Sequence, residues 1–187
     1  MKTHESFSVK IIIMLSLILS LTLSACRQNR NVNQSSLNMK TISKPDNPYY
    51  SRTDTTKLNL SDAEWKKVLS DKVYEVSRHA ATELAFTGKY WNTFVKGTYY
   101  CAACGNELFR SEAKFASTCG WPSFFEQDNP KSTVFKQQDA SLGMDWAEVL
   151  CGRCGGHLGH IFNDGPAPTG KRYCMNSIVM DFVPDTK

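Results

Sequence analysis

The stretches CAACG (residues 101–105) and CGRCG (residues 151–155) are two copies of one short unit in this chain of 187 residues. In each copy two thiols stand three positions apart, and the glycine that follows lets the backbone turn so that amides can face the sulfurs. Four thiolates in a tetrahedral array suit zinc better than iron in an exported protein. Such a site would join two hairpins that are distant along the chain and would contribute folding energy directly.

The metal site is predicted to be structural, because a catalytic zinc keeps an open coordination position and four thiolates leave none. The predicted ligands are Cys101, Cys104, Cys151 and Cys154. Two alternatives remain open from the spacing alone. The thiols could pair as disulfides in an oxidising compartment. One unit could also be a redox Cys-x-x-Cys, although neither lies in a strand–helix–strand context.

The N-terminus has the layout of a secretory signal. Lys2 and Lys10 precede an uncharged apolar run, residues 11–25, that is shorter than the roughly 20 residues a membrane-spanning helix needs. The run ends in Leu23-Ser24-Ala25-Cys26, which resembles the lipobox of bacterial lipoproteins. That resemblance implies a signal peptide over residues 1–25 and a lipid on Cys26, which would anchor the protein to an envelope membrane on its extracytoplasmic side. An uncleaved anchor and a plain secretory signal are the alternatives.

Residues 26–57 are rich in Asn, Ser, Thr and Gln without apolar periodicity, so we interpret them as a flexible tether. The remaining range, 58–187, is long enough for one folded domain. The whole chain has a formal charge of +4, but residues 58–187 hold 14 basic and 15 acidic side chains, a net −1. The basic excess lies before the domain, so a nucleic-acid-binding face is not indicated, and we expect a monomer.

Helix signals come first in the domain. Ser61 and Glu64 form a predicted capping box for a helix through about Leu69, and a second helix is predicted from Ser70 to about Glu83. After Gly88 come short runs rich in β-branched and aromatic residues, at 97–100, 107–109, 132–135, 145–150, 172–174 and 177–183. The pattern predicts a mainly β fold. We expect two antiparallel sheets in a partly open barrel or sandwich, with short N-terminal helices and a zinc site joining two Cys-x-x-Cys hairpins.

Two thiols remain, Cys119 within TCGWPSF (118–124) and Cys174 within RYCMNS (172–177), and HLGHIFNDGP (157–166) lies between them. Together with Thr87-Gly88-Lys89-Tyr90 and both Cys-x-x-Cys units, these blocks closely resemble the type-B methionine sulfoxide reductases, which reduce the R epimer of methionine sulfoxide. The resemblance runs from about residue 58 to about residue 184. It departs from the family at residues 84–85, where a segment containing proline is expected and Leu-Ala stands instead.

The resemblance implies a role for each block. Cys174 matches the family nucleophile, and Cys119 matches the resolving cysteine that some members lack. Two groups of residues match the substrate site, an aromatic wall for the methyl group (Trp121, Phe162) and a polar side for the sulfoxide oxygen (His157, His160, Asp164, Asn176). The four Cys-x-x-Cys thiols match the family's zinc ligands. Oxidised proteins are the implied substrates, with thioredoxin or a thioredoxin-like extracytoplasmic donor as the reductant.

The proposed chemistry requires activation of the nucleophile. An unperturbed thiol is only about 3% thiolate at pH 7, so Cys174 needs Arg172, a nearby imidazolium or the bound sulfoxide to promote its ionisation. A sulfenic acid on Cys174 would condense with Cys119, which would prevent overoxidation. Seven cysteines are then assigned as one for lipid, four for metal and two for redox chemistry.

Other interpretations of these residues remain. Apart from the flanking blocks, Cys119 and Cys174 could form a structural disulfide, His157 and His160 could be metal ligands or core residues, and Trp121 could be core. A zinc-ribbon binding module would leave the two thiols without a role. A zinc hydrolase or deaminase would need a His-Glu-x-x-His or His-x-Glu motif, and neither occurs. A thiol–disulfide oxidoreductase would share the chemistry without selectivity for a sulfoxide.

Overall fold

The computed structural model of the chain describes Lys44 and residues 46–137 and 146–186. Two α-helices open the domain, α1 (Asp62–Val68) and α2 (Asp71–His79). Strands follow, with bounds β1 Gly97–Cys101, β2 Glu107–Arg110, β3 Lys114–Phe115, β4 Ser123–Phe124, β5 Thr133–Gln137, β6 Trp146–Cys151, β7 His157–Phe162, β8 Arg172–Met175 and β9 Met180–Pro184. The predicted fold class is confirmed: the described chain is mainly β, with short helices at its start. None of the helices in these ranges is long and apolar enough to cross a membrane.

Helix α1 begins where the capping box predicts. The Ser61 side chain accepts a hydrogen bond from the Glu64 amide, and the Glu64 carboxylate accepts one from the Ser61 amide. Helix α2 ends earlier than predicted, at His79 rather than near Glu83. Ala80 adopts a left-handed conformation, with φ of 53°, and its amide donates to the Glu75 carbonyl, an arrangement that ends helices. Residues 80–87 are therefore a loop and not a helical turn.

The smaller sheet has the antiparallel order β2-β1-β9. Tyr99 lies at its centre, opposite Phe109 on one side and Phe182 on the other. The sequence predicts one strand over residues 177–183, but the structure divides this range. Residues Ser177–Val179 form a 3-10 turn, and β9 begins only at Met180. This turn follows β8 directly and carries the chain from one sheet to the other.

The larger sheet has the antiparallel order β3-β4-β8-β7-β6-β5. Its register places Ser123 of β4 opposite Cys174 of β8, Cys174 opposite His160 of β7, and His160 opposite Glu148 of β6. Directly opposed residues face the same side of a sheet. The fold therefore arranges a hydroxyl, a thiol, an imidazole and a carboxylate in one row across four strands.

The row depends on a close approach of β7 and β8. A Cβ atom built on Gly159 would lie 2.1 Å from the Cys174 carbonyl oxygen, so a glycine is required there. The pairing of β6 and β7 also shifts register between Val149 and Leu150. Such a bulge redirects the side chains that follow it. The sequence pattern does not indicate β7, β3 or β4 as strands, because glycine and histidine interrupt β7 and the other two span only two residues each.

Aromatic rings from both sheets meet in the buried core. Phe109 of the smaller sheet stacks on Phe124 of the larger one, with ring centroids 4.4 Å apart. Tyr99 meets the same Phe124 ring edge-on at 5.0 Å. All three side chains are fully buried. Pairs of this kind contribute about 0.5–1.5 kcal/mol beyond the area they bury, so they hold the sheets in a defined relation.

The described residues before Leu58 pack against the domain. We call Lys44 and residues 46–57 the N-terminal arm. Asn47 and Tyr50 of the arm are buried, and the Asn47 amide donates to the Ala103 carbonyl over 2.8 Å. The Ser51 amide donates to the Cys104 carbonyl over 3.0 Å. This part of the predicted tether is therefore packed on the domain. The predicted signal peptide, Cys26 and the rest of the tether lie outside the described residues.

Candidate active site and metal centre

The four cysteines of the two Cys-x-x-Cys units come together. Their Sγ atoms all lie within 4.8 Å of one another, and all four residues are buried. The nearest contacts join the two units: Cys101 Sγ is 3.8 Å from Cys154 Sγ, and Cys104 Sγ is 3.6 Å from Cys151 Sγ. A disulfide would bring two sulfurs to about 2.05 Å, so these four are thiols and the disulfide alternative is not the observed state.

The cluster fits a tetrahedral zinc ion. With zinc–sulfur bonds of about 2.3 Å, the sulfurs of such a site stand about 3.8 Å apart, close to the two contacts across the cluster. The two turns also have matching backbones, since the Gly105 amide donates to the Cys101 carbonyl and the Gly155 amide donates to the Cys151 carbonyl. Four buried thiolates without a cation would carry a large desolvation cost. The donor set therefore fits a structural zinc site with no open position.

The other two thiols form a second pair, Cys119 in the turn before β4 and Cys174 on β8. Their sulfurs are 3.6 Å apart although the residues are 55 positions apart in the chain. Burial raises the pKa of Cys119, but hydrogen bonds from Ser117 and Ser123 outweigh burial and lower it to about 7. Burial, followed by the neighbouring Cys119, raises the pKa of Cys174 to about 12. Of the two thiols, Cys119 is therefore the one that ionises at the lower pH.

A small cavity opens beside this pair. Its volume is about 190 Å³, below the roughly 300–1,000 Å³ of typical ligand pockets, so it suits a single side chain. Its lining consists of Thr82, Trp121, Gly159, His160, Phe162, Cys174, Met175 and Asn176. A larger groove of about 730 Å³ is lined by Glu83, Lys72 and Ser177 among others, but its described lining includes no thiol and no imidazole. The small cavity is therefore the candidate reaction site.

The two histidines differ in their surroundings. His160 is half-buried and lines the cavity, whereas His157 is 3% exposed and does not. Burial, followed by the proximity of His157, lowers the pKa of His160, so its ring is neutral near pH 7. His157 Nδ1 pairs with the Glu148 carboxylate at 2.7 Å, and its ring lies edge-on to His160 with centroids 5.3 Å apart. The hydrogen-bonded pair of Glu148 and His157 thus packs against His160 outside the cavity lining.

Comparison with known proteins identifies the family. The SelR domain family matches residues 69–184 of the chain. A peptide methionine sulfoxide reductase MsrB from Leptospira interrogans is 53% identical over 125 residues, which cover 67% of this chain and 95% of that protein. The MsrB of Herminiimonas arsenicoxydans is 51% identical over 128 residues, covering 68% and 93% respectively. The MsrB of Agrobacterium fabrum is 50% identical over 128 residues, covering 68% and 94%.

The chain belongs to the MsrB family. It is therefore an enzyme of the peptide methionine sulfoxide reductase class. The sequence predicts eight catalytic and substrate-binding residues for the MsrB site. Five of them line the cavity, namely Trp121, His160, Phe162, Cys174 and Asn176. Cys119 contacts Cys174 without lining the cavity, and the remaining two, His157 and Asp164, lie outside the lining.

Asp164 has a different environment from the one the MsrB resemblance implied. Its carboxylate accepts two hydrogen bonds from Arg172, each 2.8 Å long. The hydrogen bonds from Arg172 lower the pKa of Asp164, so this residue is ionised at neutral pH and does not carry a proton for a substrate. The Arg172 guanidinium lies over the Phe162 ring, 4.2 Å from its centroid. In this MsrB-family protein the Asp164–Arg172 ion pair therefore lies beside the Phe162 ring.

The sequence pattern did not indicate two glutamates of this MsrB-family site, Glu148 and Glu83. Glu148 supports His157, as described above. Glu83 accepts a hydrogen bond from Trp121 Nε1 at its carbonyl over 3.1 Å and donates its amide to Asn176 Oδ1 over 3.0 Å. Its carboxylate accepts from the amides of Ser177 and Ile178 over 2.6 and 3.0 Å. No local signal could have revealed these contacts. Trp121 is 38 positions from Glu83 and Asn176 is 93 away, and Glu148 reaches His157 only because β6 and β7 pair.

Proposed function

We propose that this enzyme reduces the R epimer of methionine sulfoxide in oxidised proteins to methionine. The observation that carries the proposal is the small cavity onto which Cys174 and His160 open, with Cys119 Sγ 3.6 Å from Cys174 Sγ. The relatives reported above are named for this activity, and they are 50–53% identical to the chain. The cavity supports binding of one side chain, as reduction within a polypeptide requires.

In the first step Cys174 attacks the sulfoxide sulfur while Trp121 and Phe162 hold the methyl group. Cys174 gives up its thiol proton as it attacks, and a proton returns to the sulfoxide oxygen through His160. The bond formed between Cys174 Sγ and the substrate sulfur breaks as the oxygen passes from that sulfur to Cys174 Sγ. Cys174 is thereby oxidised by two electrons to a sulfenic acid, and the substrate is reduced to methionine. A neutral His160 in a half-buried site can hydrogen-bond the oxygen as negative charge develops there.

In the second step Cys119 attacks the Cys174 sulfenic acid. A sulfur–sulfur bond forms, the sulfur–oxygen bond breaks, and the oxygen leaves as water. The sulfurs must approach from 3.6 Å to about 2.05 Å, a small movement for two side chains on neighbouring elements. The low pKa of Cys119 supports its role as the attacking thiolate. An external dithiol, thioredoxin or a thioredoxin-like extracytoplasmic protein, then reduces the disulfide.

A zinc ion on Cys101, Cys104, Cys151 and Cys154 completes the proposal. When bound, it would supply structural support and no reaction chemistry, because its four ligands fill the tetrahedral site. The cluster geometry supports this role. The thiols of the redox pair remain outside the cluster and are available for the reaction.

A stereospecific assay tests the activity. The wild-type protein should reduce R but not S methionine sulfoxide in a short peptide with dithiothreitol as reductant. Cys174→Ser should lower this activity by at least about 1,000-fold, since the nucleophile is lost. Cys119→Ser should retain a stoichiometric first turnover but lose recycling by thioredoxin. Turnover in the Cys174→Ser variant, or equal activity on both epimers, would refute the proposal.

We propose that the protein works in the bacterial cell envelope, anchored through a lipid on Cys26. The support is the sequence alone, the uncharged apolar run of residues 11–25 that ends in Leu23-Ser24-Ala25-Cys26. Several acyl chains on one cysteine would give stable attachment. In cells that express the full chain, Cys26→Ala should move the protein from the membrane fraction to the soluble fraction. Unchanged membrane association, together with no lipid detected on wild-type Cys26 by mass spectrometry, would contradict the anchor.

A further inference from the structure

Two large apolar side chains are exposed on a loop that contributes to the cavity lining. Leu84 is 76% exposed and Phe86 is 56% exposed. Both belong to the loop of residues 80–87, and this loop contributes Thr82 to the cavity lining. A single exposed leucine is ordinary, but neighbouring exposed apolar residues at the rim of a reaction site point to a contact surface.

Hydrogen bonds connect the loop of residues 80–87 to residues at the reaction site. Glu83 binds Trp121 and Asn176 through its main chain, as described above, and the Phe86 amide donates to the Gly120 carbonyl over 2.8 Å. Gly120 stands between Cys119 and Trp121 in the chain. Because these bonds surround Leu84 in sequence, its side chain projects from a loop whose position relative to the cavity is set.

Phe86 has an unusual backbone conformation. Its φ is 67°, in the left-handed region that bulky residues rarely adopt. Such a conformation is strained and persists where the surrounding structure imposes it, often at binding sites. The Phe86 ring packs edge-on against Trp91, yet more than half of the residue is exposed. The loop thus keeps part of an aromatic residue in contact with solvent.

We propose that Leu84 and Phe86 form a docking ledge for the polypeptide that carries the methionine sulfoxide, contacting apolar residues next to the oxidised methionine. This inference rests on the proposed function. The cavity holds about 190 Å³, enough for one side chain, so the flanking residues of a bound protein must lie on the rim. Leu84 is two positions from Thr82, and two extended residues span about 7 Å. The ledge is therefore within reach of the immediate neighbours of the oxidised methionine.

The chemistry of the substrate matches an apolar ledge. Methionine is mostly a core and interface residue, and its neighbours in a protein are commonly apolar. Oxidation makes the side chain polar and loosens such cores, which exposes those neighbours together with the sulfoxide. Contact with Leu84 and Phe86 would favour an oxidised protein segment over free methionine sulfoxide.

The test compares two substrates. One is the R-sulfoxide of N-acetyl-methionine amide, which lacks flanking side chains, and the other is a short peptide with Leu and Phe beside the sulfoxide. Leu84→Ser should raise the KM for the peptide about 3–10-fold, the effect of losing part of one leucine's apolar contact, and leave the KM for the small substrate unchanged. Phe86→Asn should also raise the KM for the peptide and leave the KM for the small substrate unchanged, because the apolar ring is lost. Asn is chosen because it tolerates the left-handed conformation.

Val134→Ser is the matched control. Val134 is also an exposed aliphatic residue, and it lies on β5, three strands from β8 in the larger sheet. It should change neither KM. The melting temperature of Leu84→Ser should match that of the wild type, since an exposed side chain is removed.

Equal KM values for the peptide in the wild type and both variants would overturn the ledge. A rise confined to the KM for thioredoxin would overturn it as well and would assign the surface to the reductant. A wild-type protein that reduces neither substrate would overturn the proposed function and the ledge with it, whereas normal reduction of the small substrate with an unchanged peptide KM overturns the ledge alone.

Discussion

At the residue scale, Cys119 and Cys174 are chemically unlike each other although their sulfurs are 3.6 Å apart. The hydroxyls of Ser117 and Ser123 stabilise a thiolate on Cys119, whereas burial keeps Cys174 protonated. A resting nucleophile in the thiol form is less open to oxidation, since oxidants react with thiolates. The substrate itself would then promote ionisation of Cys174 when its sulfoxide meets His160.

We therefore predict that Cys119 is alkylated before Cys174. A thiol with a pKa of about 7 is mostly protonated below pH 7 and mostly thiolate above it, so the rate of iodoacetamide labelling at Cys119 should rise through a midpoint near pH 7. Peptide mapping by mass spectrometry measures both sites. Ser117→Ala should move the midpoint to higher pH, because it removes one of the hydrogen bonds that lower the pKa of Cys119. Faster labelling at Cys174 would contradict this assignment of charge.

At the element scale, the loop of residues 80–87 connects elements that are distant in the chain. Glu83 joins Trp121 before β4, Asn176 after β8, and the 3-10 turn Ser177–Val179. Its carboxylate satisfies two amides at the start of that turn, which otherwise would lack an acceptor. The main chain of Glu83 thus contacts the cavity wall, while its side chain caps the turn.

We predict that Glu83→Ala lowers the free energy of unfolding by about 1–3 kcal/mol, because two amides lose their acceptor. The kcat/KM for a sulfoxide peptide should fall more than 10-fold, because the carboxylate anchors the loop whose main chain holds Trp121 and Asn176, and Ala removes that anchor. Glu83→Gln retains one oxygen acceptor and should recover part of both effects. Urea denaturation and steady-state kinetics measure them. Glu112→Ala removes an exposed carboxylate as a control and should change stability by less than about 0.5 kcal/mol. Wild-type kinetics in Glu83→Ala would exclude the positioning role.

At the scale of the whole molecule, the N-terminal arm and the metal centre form one unit. Arg153, inside the second Cys-x-x-Cys unit, is 4% exposed. It donates to the carbonyls of Tyr49, Thr56 and Cys104 and pairs with Asp54 over 2.8 Å. The arm therefore covers both cysteine turns, and Arg153 links it to them. The polar composition of the arm predicted a tether. The partners of its backbone lie far away in the sequence, so composition alone could not reveal them.

We predict that a chain beginning at Leu58 is less stable than one beginning at Lys44 by about 1–3 kcal/mol, since Arg153 and the carbonyls of the cysteine turns lose partners. It should also release zinc to a chelator faster. Urea denaturation and a colorimetric zinc assay compare the two chains. Arg153→Met in the longer chain should reproduce part of the effect. Equal stability and equal zinc release would show that the arm does not support the centre.

The sequence by itself determined the features that depend on near neighbours. The Cys-x-x-Cys spacing, the capping box at Ser61 and the alternating β runs all act within a few residues, so they can be recognised without a fold. The resemblance of whole blocks then indicated the family, together with most of the cavity lining.

Only the tertiary structure decided how these blocks meet. It separated His160, in the cavity, from the buried His157, and it turned Asp164 toward Arg172. It also brought Glu83 to Trp121 and placed the arm on the domain. The physical reason is that strand register, the bulge between Val149 and Leu150 and the packing of two sheets determine these contacts, and each depends on residues that are distant along the chain.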